Sequence, residues 1–213
     1  MATVTSIGIG NMGAALASTL LKSSTPPTLT IWNRTADRPQ AQSLTKQGAA
    51  FEPSLAAAVA RSTTLLICLI DYHTIYVALA AAGLFSKDGT TTTTTTNPQQ
   101  LPFANKTIIN LTNGSPRQAR QMEEDGETEA LYRNGGGGVA ALLLKPIGAV
   151  QYVAEDAGAA SLYDVAALAG MYGMFIGAFT GMALLKKQWQ QGKQREQGKQ
   201  QGGVAAVAKY LSK

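Results

Sequence analysis

A doubly wound parallel α/β sheet, followed by one long apolar helix, is the fold class this sequence predicts. Three observations carry it. Short apolar, β-branched runs alternate with helical stretches as far as residue 124. The run Thr63–Ile70 is apolar along its length, as expected of a parallel strand covered on both faces. A G-x-G-x-x-G motif joins the first strand to the first helix.

Thr3–Ile7 reads as a buried strand. Gly8-Ile9-Gly10-Asn11-Met12-Gly13 follows at once, and Ala14–Lys22 reads as a helix. In that context the motif predicts a dinucleotide site. Gly8 allows the tight turn, Gly10 lets a pyrophosphate approach the backbone, and Gly13 lets helix and strand pack closely. The free N–H groups and positive end of the helix face the phosphates.

Thr28–Trp32 is the second strand. At its end an NAD site would carry Asp or Glu for the ribose hydroxyls. This chain has Asn33, Arg34 and Thr35, with Arg38 one turn on. A carboxylate would repel a 2′-phosphate, whereas arginine holds one with paired hydrogen bonds. The stretch therefore predicts NADP(H).

Ala36–Gln47 is the second helix and Gly48–Phe51 a short third strand. Ser54 is placed to cap a small alanine-rich helix. Thr63–Ile70 is the fourth strand, with Cys68 as a buried strand thiol. Asp71-Tyr72-His73 closes it at the carboxyl end, where such sheets bind ligands. His73, the sole histidine, reads as a solvated or capping residue at the start of helix Thr74–Ala82 rather than as a catalyst. Residues 90–100, with seven consecutive threonines, read as a low-complexity surface insertion. Lys106–Leu111 is the fifth strand. Ser115 caps the next helix, through Glu124, with Pro116 at its first position. Order then falls away through Gly135–Gly138. Val139–Leu144 reads as helical and Val150–Val153 as a short edge strand.

Asp156 begins the long apolar helix, and Val165–Leu185 is free of charge. By length this is a membrane-span candidate. A helix buried on all sides in a core or a dimer is the reading the upstream sheet favours. The tail from Gln188 is rich in glutamine, lysine and glycine and reads as a solvated or frayed helix.

Composition narrows the partners. Of 213 residues, 45% are hydrophobic, enough for a real core, and the net charge is +5. From Lys186 onward there are seven Lys/Arg against one Glu; before it there are eleven against twelve acidic residues. The basicity belongs to the tail, so no nucleic-acid face follows from it. One cysteine excludes an intrachain disulfide or a cysteine metal centre. The chain opens directly into a strand with no signal-peptide pattern, so a cytoplasmic location is expected.

Ile7–Gly13, Trp32–Thr35, Cys68–Tyr72, Asn110–Pro116 and Leu162–Ala166 together resemble the imine reductases. These are NADPH enzymes of the β-hydroxyacid dehydrogenase superfamily, related to the NADP-binding domain of 6-phosphogluconate dehydrogenase. The resemblance covers most of residues 3–124 and 150–185. It implies an NADP-binding Rossmann domain over 1–145, the start of a helical dimerisation and substrate domain over 146–187, and a tail over 188–213. It implies a homodimer exchanging the long helix, and a small-molecule imine or carbonyl substrate. Cofactor contacts would come from Gly8, Ile9, Gly10, Asn11, Met12, Gly13, Asn33, Arg34, Thr35 and Arg38. Two strand ends would add Leu69, Ile70 and Asp71, and Asn110, Leu111 and Thr112.

Asp164 falls where these reductases carry the proton-donating residue. The dehydrogenase relatives place a lysine early on this helix, and residues 146–185 contain none. A carboxylate suits an iminium, which is already cationic, so Asp164 favours C=N over C=O reduction. Tyr163 and Tyr172 read as packing residues. Two features depart from the family pattern. The strand and loop before Leu131-Tyr132 are reduced to residues 125–130, and the glutamine-rich tail stands in place of the C-terminal bundle. The cofactor side is intact and the substrate side shortened. The readings are therefore an NADPH-dependent C=N reductase, an NADP-binding module without turnover, a C=O/CH–OH oxidoreductase of the dehydrogenase type, or a membrane-anchored domain.

Overall fold

The computed structural model describes residues 2–85, 102–103, 105–125, 139–151 and 153–211. The low-complexity stretch 90–100 and the glycine-rich region before Val139 lie outside them. Five strands, β1 (Thr3–Ile7), β2 (Thr28–Trp32), β3 (Ala50–Phe51), β4 (Thr64–Ile67) and β5 (Thr107–Asn110), form one parallel sheet in the order β3-β2-β1-β4-β5. The helices between them are α1 (Asn11–Leu21), α2 (Pro39–Lys46), α3 (Leu55–Ala60) and α4 (Tyr72–Ala81). They are followed by α5 (Pro116–Asp125), α6 (Val139–Leu144) and α7 (Ala159–Leu211). This is the doubly wound sheet the sequence predicts, continued by a long helix.

Side chains of successive strand residues leave the sheet on opposite faces. Leu65 and Ile67 therefore join one core with Ile7, Val59, Ile75 and Ile108. Leu66 joins the other, with Val4, Ile9, Leu20, Ile31 and Leu44. All four residues of β4 are buried, which is why its sequence shows no polar alternation. The central strand carries two buried hydroxyls with different fates. Thr5 Oγ1 donates to the Ala58 carbonyl at 2.8 Å and lies 2.8 Å from Ser62 Oγ. Ser6 Oγ is buried and has no partner among the described residues. An orphaned buried hydroxyl is a cost, so Ser6→Ala is expected to stabilise the fold by about 1 kcal/mol, read as a shifted urea midpoint at unchanged slope.

Several boundaries differ from the sequence reading, each for a local reason. Helix α1 starts at Asn11, inside the glycine motif, because Gly10 already serves as its N-cap. Helix α2 starts at Pro39 rather than Ala36, since a residue before proline is held out of the helical region. Arg38 accordingly sits at φ −67°, ψ 135°. Asp71 caps α4, so that helix starts at Tyr72. Strand β4 ends at Ile67, and Cys68 lies beyond it, half-buried rather than buried, where desolvation pushes its thiol pKa up. Val150, Gln151 and Val153 carry no strand; Tyr152 lies outside the described residues.

By contact density the chain divides into two compact units, Met1–Tyr163 and Asp164–Lys213. In the first, the approach to α7 is clamped. Asp156 receives Arg120 Nε and Nη2, each at 2.7 Å, and the Gly158 N–H at 3.1 Å. A Cβ on Gly158 would sit 2.8 Å from the Arg120 guanidinium carbon. These bonds delay α7 to Ala159 and hold the Asp156 carboxyl at about 2, below its ordinary 3.8. A depressed carboxylate stabilises fully above its unfolded value and loses that contribution as pH falls through the folded one. Protection of the Gly158 amide should therefore fade between pH 3.8 and about 2. In Asp156→Asn that step should be absent, which hydrogen exchange would show.

The second unit is a continuous helix, with the tail extending α7 to Leu211 rather than fraying. The α7 stretch Ala159–Lys193 is long and apolar enough to cross a membrane by length and composition, and none of its apolar window is buried among the described residues. Burial on all sides is therefore not met among the described residues. Tyr163, Tyr172, Ile176 and Leu185 are each more than half exposed. The two tyrosines pack no core here.

Candidate cofactor site

The register aligns the carboxyl ends of four strands. Ile7 pairs with Trp32 on one side and Ile67 on the other, and Ile67 pairs with Asn110. Gly8, Asn33, Cys68 and Leu111 thus leave the sheet side by side. The strand order reverses at β1, which is where open α/β sheets form their ligand crevice.

The three glycines have separable roles. Gly8 takes φ +95°, and its N–H donates to the Trp32 carbonyl at 3.0 Å. A Cβ there would strike the Cys68 carbonyl oxygen and approach the Leu69 side chain to 2.7 Å. A Cβ on Gly13 would strike the Gly8 carbonyl oxygen. These two glycines are spent on packing the loop against its own chain. Gly10 differs: a Cβ there meets nothing within 4 Å, and Gly10 lines the adjoining groove. No side chain caps α1 at this end. Among the described residues the first amides of α1 therefore have neither an intrahelical acceptor nor a side-chain one, which suits an anion.

A groove of about 660 Å³ runs from this loop across the ends of β2 and β4. It gathers Gly8, Gly10, Asn33, Arg34, Thr35, Arg38, Leu69 and Ile70 from the residues the sequence singles out. Arg34, Thr35 and Arg38 are exposed, and neither arginine is in a salt bridge among the described residues. Asn33 is turned inward: Oδ1 accepts the Ile9 N–H at 3.0 Å and Nδ2 donates to the Thr35 carbonyl at 2.8 Å.

Other expected contact residues stand beside the groove rather than in its lining. Ile9 is buried beneath the loop. Asn11 and exposed Met12 lie on the first turn of α1. Asp71 Oδ1 accepts Thr74 N–H at 2.7 Å and Thr74 Oγ1 at 2.6 Å, and this capping lowers its pKa. Asn110 and Thr112 tie strand ends together. Thr112 Oγ1 accepts the Leu69 N–H at 3.2 Å, and Asn110 Oδ1 accepts the Thr112 N–H at 2.9 Å. Leu111 is partly exposed between them. Asp164 is exposed on α7 and opens the second unit. His73 is exposed in the first turn of α4.

Two walls escape the sequence reading. One is the loop Pro53-Ser54-Leu55. Trp32 Nε1 holds it by donating to the Pro53 carbonyl at 3.2 Å, and Glu52 by accepting the Ser54 N–H at 3.1 Å while paired with Arg61 at 2.6 Å. The other is the face of α4 bearing Thr74, Val77, Ala78 and Ala81. The signal was present: α4 carries no polar side chain after Thr74 except the Tyr76 hydroxyl, yet only Tyr72, Ile75 and Leu79 are buried. Its second apolar face had to serve something else.

A family model for the NAD binding domain of 6-phosphogluconate dehydrogenase matches residues 3–132. The chain belongs to this family. Within it, the chain is similar to a reductive aminase and to imine reductases. It is 33% identical over 204 residues to an NADPH-dependent reductive aminase of Aspergillus oryzae, covering 84% of this chain and 62% of that protein. It superposes on a reductive aminase of Aspergillus terreus in complex with NADPH and ethyl levulinate with a TM-score of 0.66. That pair is 32% identical, with 87% of this chain and 66% of the other covered. An imine reductase of Aspergillus terreus in complex with NADPH4 and dibenz[c,e]azepine gives a TM-score of 0.64 at 33% identity, over 83% and 63% of the two chains. This family member thus spans less than two thirds of the length of its reductive aminase relative.

Proposed function

We propose that this chain binds NADP(H) in the groove and serves an NADPH-dependent reduction of a C=N bond in a small imine or iminium. The observation that carries the cofactor reading is the pair Arg34 and Arg38, in no salt bridge among the described residues, beside Thr35 on the groove rim, where a 2′-phosphate would arrive. Similarity to reductive aminases and imine reductases supports the C=N substrate class. The α1 amides hold the pyrophosphate, and Gly10 leaves room for it. The bound nicotinamide supplies the hydride. Asp164 offers a carboxylate to a pre-formed iminium or, in its protonated form, a proton to the nitrogen of a neutral imine as hydride adds to its carbon. Residues 1–145 serve the cofactor. Residues 146–187 begin the helical domain, and a second copy covers the exposed apolar face of α7 in a cytoplasmic homodimer. Residues 188–213 extend from it.

The test is consumption of NADPH with a cyclic imine, beside a ketone plus amine and a ketone alone. Turnover of the imine over the ketone supports the reading. In that assay Asp164→Asn should lower kcat by about 10²–10⁴-fold with NADPH affinity unchanged. A second reading, carried by the groove of cofactor-side residues alone, is a cofactor-binding module without turnover. Tight NADPH binding with no imine consumption selects it. Sedimentation without detergent tests the dimer; a chain soluble only in detergent points to a membrane-inserted α7.

A further inference from the structure

We propose that the Asn33 carboxamide positions both phosphate-binding segments of the groove at once, acting on the cofactor through the backbone rather than as its ligand. The inference rests on the NADP(H) reading above. Asn33 stands between the two segments and is bonded to each. Its Oδ1 accepts the Ile9 N–H, within the glycine loop, at 3.0 Å. Its Nδ2 donates to the Thr35 carbonyl, within the loop that carries Arg34, at 2.8 Å. Both partners are backbone groups of fixed polarity, so the orientation of the amide is dictated rather than chosen. The Ile9 N–H needs an acceptor and the Thr35 carbonyl needs a donor.

The glycine loop has few other restraints at this point. Gly10 touches nothing on its side-chain side, and α1 has no side-chain cap. The buried Ile9 side chain pins the loop from below. From the β2 side, two bonds hold it: Gly8 N–H to the Trp32 carbonyl at 3.0 Å, and Ile9 N–H to Asn33. The geometry also explains why an amide stands here and not a carboxylate. A carboxylate accepts at one end but faces the Thr35 carbonyl with a second acceptor at the other. Only an amide satisfies both segments. Asn33 therefore contributes to NADP(H) selectivity by shaping the Arg34–Thr35 turn, and to dinucleotide affinity by shaping the glycine loop.

The two roles separate experimentally. Asn33→Leu removes both bonds at similar size; Asn33→Asp keeps the acceptor for Ile9 and removes the donor to Thr35. The readouts are affinities for NADPH and NADH by calorimetry, and hydrogen exchange at the Ile9 amide in the free protein. Asn33→Leu is expected to weaken NADPH and NADH alike, each by about tenfold, and to speed Ile9 exchange. Asn33→Asp is expected to leave the Ile9 amide protected and NADH within about threefold of wild type, while NADPH weakens by about tenfold or more. Loss of NADPH alone in Asn33→Leu, with NADH binding and Ile9 exchange unchanged, would show a plain 2′-phosphate ligand and overturn the proposal. Should Asn33→Leu fail to fold, Asn33→Asp decides, since an unprotected Ile9 amide there overturns it. A wild-type chain that binds neither dinucleotide refutes the NADP(H) reading, while Ile9 exchange still reports on the clip.

Discussion

Arg34→Ala is expected to weaken NADPH binding by about 10- to 100-fold while moving NADH by less than about threefold. The asymmetry follows from where the charge sits. Arg34 is exposed on the groove rim, in no salt bridge among the described residues, and displaced from the glycine loop by the turn that Asn33 closes. On the proposed reading it would meet only the part of the ligand that the two cofactors do not share. Arg34→Lys should recover part of the loss, because a lysine supplies charge without the planar fork that grips a phosphate. Since the site is open to solvent, the NADPH preference should shrink as salt is raised. Calorimetric titration of both cofactors at two ionic strengths reads all of this. Equal losses for NADPH and NADH would mean that Arg34 acts on the fold and not on the 2′-phosphate.

The second large effect separates two glycines three residues apart. Gly13→Ala drives a Cβ into the Gly8 carbonyl oxygen, a backbone atom that cannot swing aside. Overpacking of that kind should destabilise the cofactor unit by about 3 kcal/mol or more. Gly10→Ala meets open space and should melt with the wild type. Yet its methyl group stands where the pyrophosphate must approach, so NADPH affinity should fall by about tenfold or more. Thermal unfolding and cofactor titration of the two variants form a crossed pair: one loses the fold, the other only the ligand. A Gly10→Ala chain that binds NADPH normally would remove the glycine loop from the site.

Much of this was legible in the sequence because it is periodic or steric. Apolar runs marked the five strands, four of them carrying β-branched residues, and β4 announced itself as Leu65-Leu66-Ile67 without polar alternation. The family followed from short motifs at the strand ends, since those are the residues the register lines up. What stayed hidden depends on partners distant in sequence. Nothing near Asn33 says that its amide reaches back to Ile9, 24 residues away. Thr112 reads as a ligand until its hydroxyl is found on the Leu69 amide, 43 residues away. The Pro53–Leu55 wall exists because Trp32 and Glu52 hold it, and a sequence does not reveal which tryptophan reaches which carbonyl. Helix α7 exposes a different limit. An apolar stretch reports that a surface must be covered but not by what, and among the described residues it remains open.

The most direct measurement is the affinity of the unaltered chain for NADPH and for NADH, titrated side by side in one low-salt buffer. NADPH is expected to bind about 10- to 100-fold more tightly, the share carried by Arg34 and its neighbours. Equal affinities, or tighter NADH, would contradict the assignment of the β2 rim to a 2′-phosphate and with it the reading of this groove as an NADP(H) site.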